Sequence, residues 1–224
     1  MRLDFVTLFP EIIHAVMGCS ILGRAQEANL IQVRTADPRD FAYDRHRSVD
    51  DRPYGGGPGM LIRVEPVALA VRSLRLPKGA AIVLTDPAGD RFDAKAARTL
   101  AKKPAVAFLC GHYEGFDHRV EELLATHVFS VGDFVVTGGE VPALLMADAI
   151  ARHLPGVLGD SGSLEIDSFA QGGLSGPQYT RPPDFEGMHV PEVLLSGNHA
   201  EVERWRREQA LIRTRERRPD LAEP

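Results

Sequence analysis

Three glycine-bearing stretches hold the residue types best suited to meeting a ligand with backbone. "RPYGGGPGM", residues 52–60, sets four glycines, two prolines, an arginine and a tyrosine in nine positions, while "CGHYEG" spans 110–115 and "VTGGE" spans 136–140. Glycine clusters can cradle phosphate with N–H groups, or let the main chain approach a flat ring and bond its edge. The first stretch is no phosphate loop: it does not read G-x-x-x-x-G-K-[ST], no lysine follows, and Pro58 removes a donor where a cradle needs one. The other two each follow an apolar run and precede a helix-like segment, the place where open α/β sheets bind ligands. Tight-turn packing explains any one of these loops; three in one chain favour a ligand site.

Charge is the second signal. The formal net charge of −5 argues against a nucleic-acid partner, but the distribution argues for one. Residues 204–218, "RWRREQALIRTRERR", hold seven arginines against two glutamates, and Arg34, Arg39, Arg45, Arg47 and Arg52 form a second block. A solvated helix face explains the first run alone; two blocks make a polyanion partner plausible, because phosphate contacts need local rather than net charge. The eight histidines do not fall at metal-ligand spacing, so no zinc site is expected, and the lone Cys19 and Cys110 are expected to be reduced thiols.

The elements that must position these groups alternate along the chain. "RLDFVTLF" reads as a buried strand, and Pro10 suits the first turn of a helix carrying Ile12, Ile13 and Val16. "LIQVRTA", "AAIVLT" (80–85) and "AVAFLCG" (105–111) are further strands. Helices are expected after Pro66, after a turn at "DPAGD" with Asp93 as cap, through Val120, Leu123 and Leu124, and from about Val141 to His153 with Leu144, Leu145, Ala149 and Ile150 on the apolar side. Strands apolar throughout, alternating with helices, indicate a mostly parallel sheet covered on both faces, an α/β fold. From about residue 155 a Gly/Pro/Ser/Asp-rich stretch shows neither the strand nor the helix period and reads as a linker. The end is helical: Asn198 caps, Glu201 completes a capping box, Val202, Trp205 and Ile212 share a face, and Pro219 stops it. The seven arginines would give this piece one basic side.

With 224 residues, 44% hydrophobic and 25% charged, the chain suits an ordinary globular protein of one or two domains. "MRLDFVTLFPEII" lacks the marks of a signal peptide and no run reaches membrane-spanning length, so a cytoplasmic protein without membrane attachment is expected.

At longer range the residues become specific. "DDRPYGGGPGM", "CGHYEGFDHR", "VGDFVVTGGEVPA", "RHLPGVLG", "EIDSF", "YTRP" and "VPEVLLSGNHAEVERWRREQALIRT" run in an order and spacing that resembles the bacterial tRNA (guanine-N1)-methyltransferase family, from "LDFVTLFPE" to "RRPDL". The resemblance implies a SPOUT-type parallel-sheet domain with a deep trefoil knot over residues 1–158, a flexible linker at 159–174 and a small helical tRNA-binding domain at 175–224. It also implies a homodimer whose active sites are shared between subunits. The implied reaction moves a methyl group from S-adenosylmethionine to N1 of the guanine immediately 3′ to the anticodon, which keeps the reading frame.

Residue by residue, the resemblance assigns cofactor binding to Leu84, Gly111, Tyr113, Glu114, Val131, Gly132, Val136, Gly138, Gly139 and Pro142. Asp167 in "EIDSF" corresponds to the family's general base and Arg152 to the arginine at the guanine O6 side. An ordinary carboxylate is a weak base for guanine N1, so help from Arg152 or an ion, with magnesium as the family's candidate and Glu114 near it, is expected. The glycine-rich stretch with Arg52 and Tyr54 becomes a shaped loop beside the substrate, and Ser196, Asn198, His199, Arg204 and Arg207 lie where the anticodon arm of tRNA would be held. Departures from the family pattern are Asp86 in "LTDPAG", His112 where other members have arginine, and an end soon after "RRPDL". A differently targeted knotted RNA methyltransferase and a noncatalytic RNA-binding scaffold are the alternatives; intact Asp167 and "GDFVVTGGE" oppose the second.

Overall fold

The computed structural model describes residues 1–159 and 166–222, and the chain divides into two compact units, Met1–Gly159 and Asp160–Pro224. In the first unit five strands form one sheet: β1 (Arg2–Val6), β2 (Gln32–Ala36), β5 (Ala81–Arg91), β6 (Ala105–Leu109) and β7 (His127–Ser130), ordered β2-β1-β6-β5-β7 and parallel throughout. The helices are α1 (Pro10–Met17), α2 (Ser20–Glu27), α3 (Val64–Ser73), α4 (Ala94–Leu100), α5 (Arg119–Leu124) and α6 (Glu140–Ala151). The two-residue strands β3 (Asp50–Asp51) and β4 (Leu61–Ile62) pair antiparallel across the glycine-rich stretch.

β6 and the first four residues of β5 are apolar without alternation because both sheet faces are buried there, and successive residues feed opposite layers. Leu3, Phe5, Val83, Val106 and Phe108 pack with α1, α2, α4 and α6. Val6, Leu84, Ala107 and Leu109 pack on the other side with α3 and Val120 of α5. Phe5 and Phe108 stack across β1 and β6 at 5.2 Å. Leu123 and Leu145, expected on apolar faces, are instead exposed.

The expected turn at "DPAGD" is a bulge inside one long strand. β5 pairs with β7 before and after it, with the register shifting between Thr85 and Asp90. Asp86 accepts from Ala88 N at 2.8 Å, and Gly89 lies so close to β7 that a Cβ there would stand 2.5 Å from the Val128 carbonyl carbon. Asp93 caps α4 as expected, accepting from Ala96 N at 2.8 Å.

Among the described residues of this unit two carboxylates are buried, Asp4 and Glu140, and Asp4 lies in the sheet itself. Asp4 on β1 is fully buried, bonded by Arg2 at 2.7 Å, with Arg34 at 3.8 Å; both arginines also donate to Leu74 O at the end of α3. Burial raises the Asp4 carboxyl above its ordinary range, against the lowering pull of the two arginines. A raised folded-state value means that the native protein holds the proton more tightly, so Asp4's favourable contribution is complete at low pH and is lost as pH rises through its folded value. Arg2→Ala is therefore expected to cost about 3 kcal/mol at neutral pH, where it strands a buried carboxylate. Denaturant melts should show that deficit shrinking as pH falls into the carboxylate range; a deficit independent of pH would rule out this origin.

In the second unit, β8 (Asp184–Phe185) and β9 (Met188–His189) form a hairpin, followed by α7 (Glu192–Leu195) and α8 (His199–Arg217). Asn198 caps α8 by accepting from Glu201 N at 3.4 Å, and the helix ends ahead of a 3-10 turn at Pro219–Leu221. Trp205 packs near Tyr179 with ring centres 6.3 Å apart. Of the expected linker, residues 160–165 lie outside the described residues, and residues from Ser168 to Ser175 are hydrogen-bonded within this unit.

Candidate active site

A cleft of about 200 Å³ opens in the first unit at the bulge of β5, beyond the ends of β6 and β7 and where α6 begins. Its lining includes Gly111, Tyr113, Glu114, Val131, Gly132, Val136, Gly138, Gly139 and Pro142, nine of the ten residues that the sequence suggested for the cofactor. The tenth, Leu84, is buried in the core layer beneath α3 and does not line it. Thr85, Asp86, Pro87, Phe129, Phe134 and Val135 line it too. Thr85, Asp86 and Pro87 belong to "LTDPAG" and Phe134 and Val135 to "VGDFVVTGGEVP", loops that the resemblance gives to the cofactor without singling out these residues, and the place of the first loop as a bulge was not legible.

Backbone contacts that only glycine permits draw the walls together. Gly139 N donates to Gly111 O at 2.8 Å, and a Cβ at Gly139 would stand 2.4 Å from Thr85 Oγ1 and 2.7 Å from Gly111 N. His112 and Gly138 form an isolated antiparallel bridge. Behind them runs a polar chain: Thr7 Oγ1 donates to Glu140 Oε1 at 2.6 Å, Glu140 Oε2 meets His112 Nε2 at 2.7 Å, and the His112 ring lies 4.8 Å from that of Phe9. Glu140 is buried at the start of α6 yet fully engaged, which is how a buried carboxylate is tolerated. Burial, and secondly the charge of Glu140, push the Cys110 thiol well up, so this cysteine is an inert member of the core.

The stretch 52–60 is tied to the cleft. Glu114 N donates to Met60 O at 3.1 Å and Ile62 N to Gly115 O at 2.9 Å, while a Cβ at Gly59 would overlap the Glu114 side chain at 2.3 Å. Arg52 and Tyr54 stand fully in solvent on this loop, Tyr54 being 102% exposed.

Arg152 is placed differently. It follows the last turn of α6, whose first turn is at the cleft, so some 12 residues separate the two, about 18 Å along the axis. Asp167 is exposed in the second unit. There, Ser196 and Asn198 spend their side chains on structure: Ser196 Oγ donates to Val193 O at 2.8 Å and accepts from Asn198 N at 3.1 Å, and Asn198 caps α8. His199, Arg204 and Arg207 are exposed.

The basic blocks are sorted by the fold. Arg34, Arg39 and Arg47 are engaged by Asp4, Asp37 and Asp40, Arg47 remaining exposed; Arg45 and Arg52 are the exposed arginines of the first block outside these pairs. At about 100° per residue, Arg204, Arg207 and Arg215 share one side of α8, and Arg206, Arg213 and Arg217 the opposite one, so the helix is basic on two sides rather than one.

Among the described residues no three His, Cys, Asp or Glu side chains come together as a metal site, and no step is assigned to magnesium. No helix among them is long and apolar enough to cross a membrane.

Over residues 1–224 the sequence matches the family described as tRNA (Guanine-1)-methyltransferase TrmD. The tRNA (guanine-N(1)-)-methyltransferase of Gloeobacter violaceus is 53% identical over 225 residues, covering 100% of this chain and 99% of that protein. Those of Staphylococcus carnosus and Staphylococcus aureus are each 50% identical, covering 99% and 100% of this chain and 90% and 91% of theirs. With the glycine-walled cleft at the strand ends and a match over its whole length, the chain belongs to the TrmD family of tRNA (guanine-1)-methyltransferases.

Proposed function

We infer that this chain methylates N1 of the guanosine immediately 3′ to the anticodon of tRNA, with S-adenosylmethionine as the methyl donor. The observation that carries the reading is full-length similarity to proteins named tRNA (guanine-N(1)-)-methyltransferase. S-adenosylmethionine supplies a methyl group already activated on a sulfonium. The fit of the cleft to it rests on bare backbone at Gly111 and Gly138, where amides can read the edge of a flat ring, on the Gly139 N–H that holds the two loops together, and on Val131, Val136 and Pro142 against the ring's faces.

The protein's remaining tasks are to hold guanine in line, take the N1 proton and balance charge at O6. Asp167 takes the proton and the Arg152 guanidinium pairs with O6. Arg152 stands a helix length from the cleft of its own chain, which supports a homodimer in which the base and the arginine serve the cofactor of the partner subunit. Exposed Ile12 and Val16 on α1 and Val141 and Leu145 on α6 give such a dimer an apolar face. The knot of the resembling family belongs to the same reading, supported by the bonds that tie residues 111–115 to 138–140.

RNA is held by charge and read by stacking. Arg204 and Arg207 on α8 meet phosphates of the anticodon arm, His199 and the Ser196–Asn198 turn shape the helix start, and Arg52 and Tyr54 approach the splayed base. A cytoplasmic location follows from the tRNA substrate. Methyl transfer from labelled S-adenosylmethionine should proceed on a transcript with guanine 3′ to the anticodon and fail on one with adenine there. Equal labelling of both, or none, would overturn the assignment.

A further inference from the structure

The helix that carries the arginines also holds the segment that carries Asp167, and it does so through a threonine. Thr214 is the buried residue of α8 and one of four buried polar residues among those described. A surface helix ordinarily anchors itself with apolar side chains. This one leaves Leu211 and Ile212 exposed and buries a hydroxyl instead.

Thr214 Oγ1 donates to Ala210 O at 2.7 Å and accepts from Leu174 N at 2.9 Å. Bonding back to the carbonyl one turn earlier uses the donor and leaves a lone pair for another piece of chain. The close approach is possible because Gly173 and Gly176 face the helix: a Cβ would stand 3.1 Å from Thr214 Oγ1 at the first and 3.1 Å from Arg206 O at the second.

From Leu174 the bonding runs back to Asp167. Ser175 N donates to Ser168 Oγ at 3.0 Å, Phe169 N to Gly173 O at 2.6 Å and Ala170 N to Asp167 O at 3.2 Å. The Arg218 guanidinium lies 5.8 Å from the centre of the Phe169 ring. Asp167 thus heads a closed loop whose buried bond to α8 is one hydroxyl, beside a longer, exposed bond from Arg213 Nη1 to Ser175 O at 3.4 Å.

We propose that Thr214 is a positioning residue for Asp167, fixing the 167–175 loop to α8 so that the helix's hold on RNA phosphates also sets where the carboxylate stands. This rests on the reading of Asp167 as the proton acceptor. In the full-length protein, Thr214→Val keeps the shape and removes the hydroxyl, whereas Thr214→Ser keeps the hydroxyl.

At saturating S-adenosylmethionine and tRNA, Thr214→Val should lower kcat at least about tenfold, because misplacing a reacting group by a fraction of an ångström is costly. Kd for tRNA and for S-adenosylmethionine should stay within about twofold, and Thr214→Ser should recover kcat to within about twofold. Wild-type kcat in Thr214→Val, an equal loss in Thr214→Ser, or a loss explained by weaker tRNA binding would overturn the proposal. Should Thr214→Val not fold, Ser168→Ala carries the test, since it opens the loop without touching α8 and should give the same kcat loss with unchanged Kd. Wild-type transfer by Asp167→Asn would instead sink the proton-acceptor assignment, an outcome separable from either.

Discussion

Asp167→Asn is expected to lower the single-turnover rate of methyl transfer by roughly 10²–10⁴-fold, the range that a positioned acid or base contributes, while S-adenosylmethionine binding is unchanged. The substitution keeps size and polarity and removes the one property that the reaction requires, a lone pair able to accept the N1 proton. The cofactor should be unaffected because the cleft is built wholly from residues of the first unit, whereas Asp167 belongs to the second. Mixed dimers sharpen the expectation. If Asp167 serves the partner's cofactor, a dimer of one Asp167→Asn chain and one Gly139→Ala chain retains one working site; if Asp167 serves its own chain's cofactor, that dimer retains none. Rate measured beside calorimetric binding decides between a chemical role and a structural one, since a structural role would weaken binding as well.

Gly139→Ala is expected to weaken S-adenosylmethionine at least about thirtyfold, the equivalent of 2 kcal/mol, the middle of the range for forcing extra volume into a packed site. A methyl group at this position would meet Thr85 Oγ1, Gly111 N and the Cys110 Cα at 2.4–2.8 Å, two of them backbone that cannot rotate away. Relief requires the 110–115 and 136–140 loops to part, which breaks the Gly139 N to Gly111 O bond that joins them. At Gly138 the clash would be with the movable His112 ring and the Glu140 carboxylate, so Gly138→Ala should be the milder change. Isothermal titration of both variants checks the order. Binding by Gly139→Ala within about threefold of wild type would mean that the loop junction is not part of the cofactor site.

The particular elements explain how far the sequence could be read. The strand of "AVAFL" was legible because burial on both faces demands an unbroken apolar run, "RLDFV" because Leu3, Phe5 and Val6 keep that pattern around the buried Asp4, and Pro10, Asp93 and Asn198 marked helix starts because cap chemistry is local. The bulge at 86–90 was not legible, since Asp-Pro-Ala-Gly-Asp is turn-like by composition and only pairing with β7 on both sides turns it into strand. Leu145 and Leu123 fit a helical stripe but face outward, because periodicity marks an apolar side without saying what covers it. Arg34, Arg39 and Arg47 counted as basic charge in the sequence, yet the fold consumes them in ion pairs with nearby aspartates.

The sequence by itself determined the fold class and the family and suggested which side chains react, because these rest on local apolar patterning, capping and long ordered motifs. Tertiary structure alone decided which of these residues share a surface. It brought nine of the ten cofactor positions to one cleft and left Leu84 in the core. It separated Arg152 from that cleft by the length of α6, and hung the Asp167 loop on Thr214. Such proximities depend on contacts between residues far apart in the chain, and no local propensity or spacing encodes them.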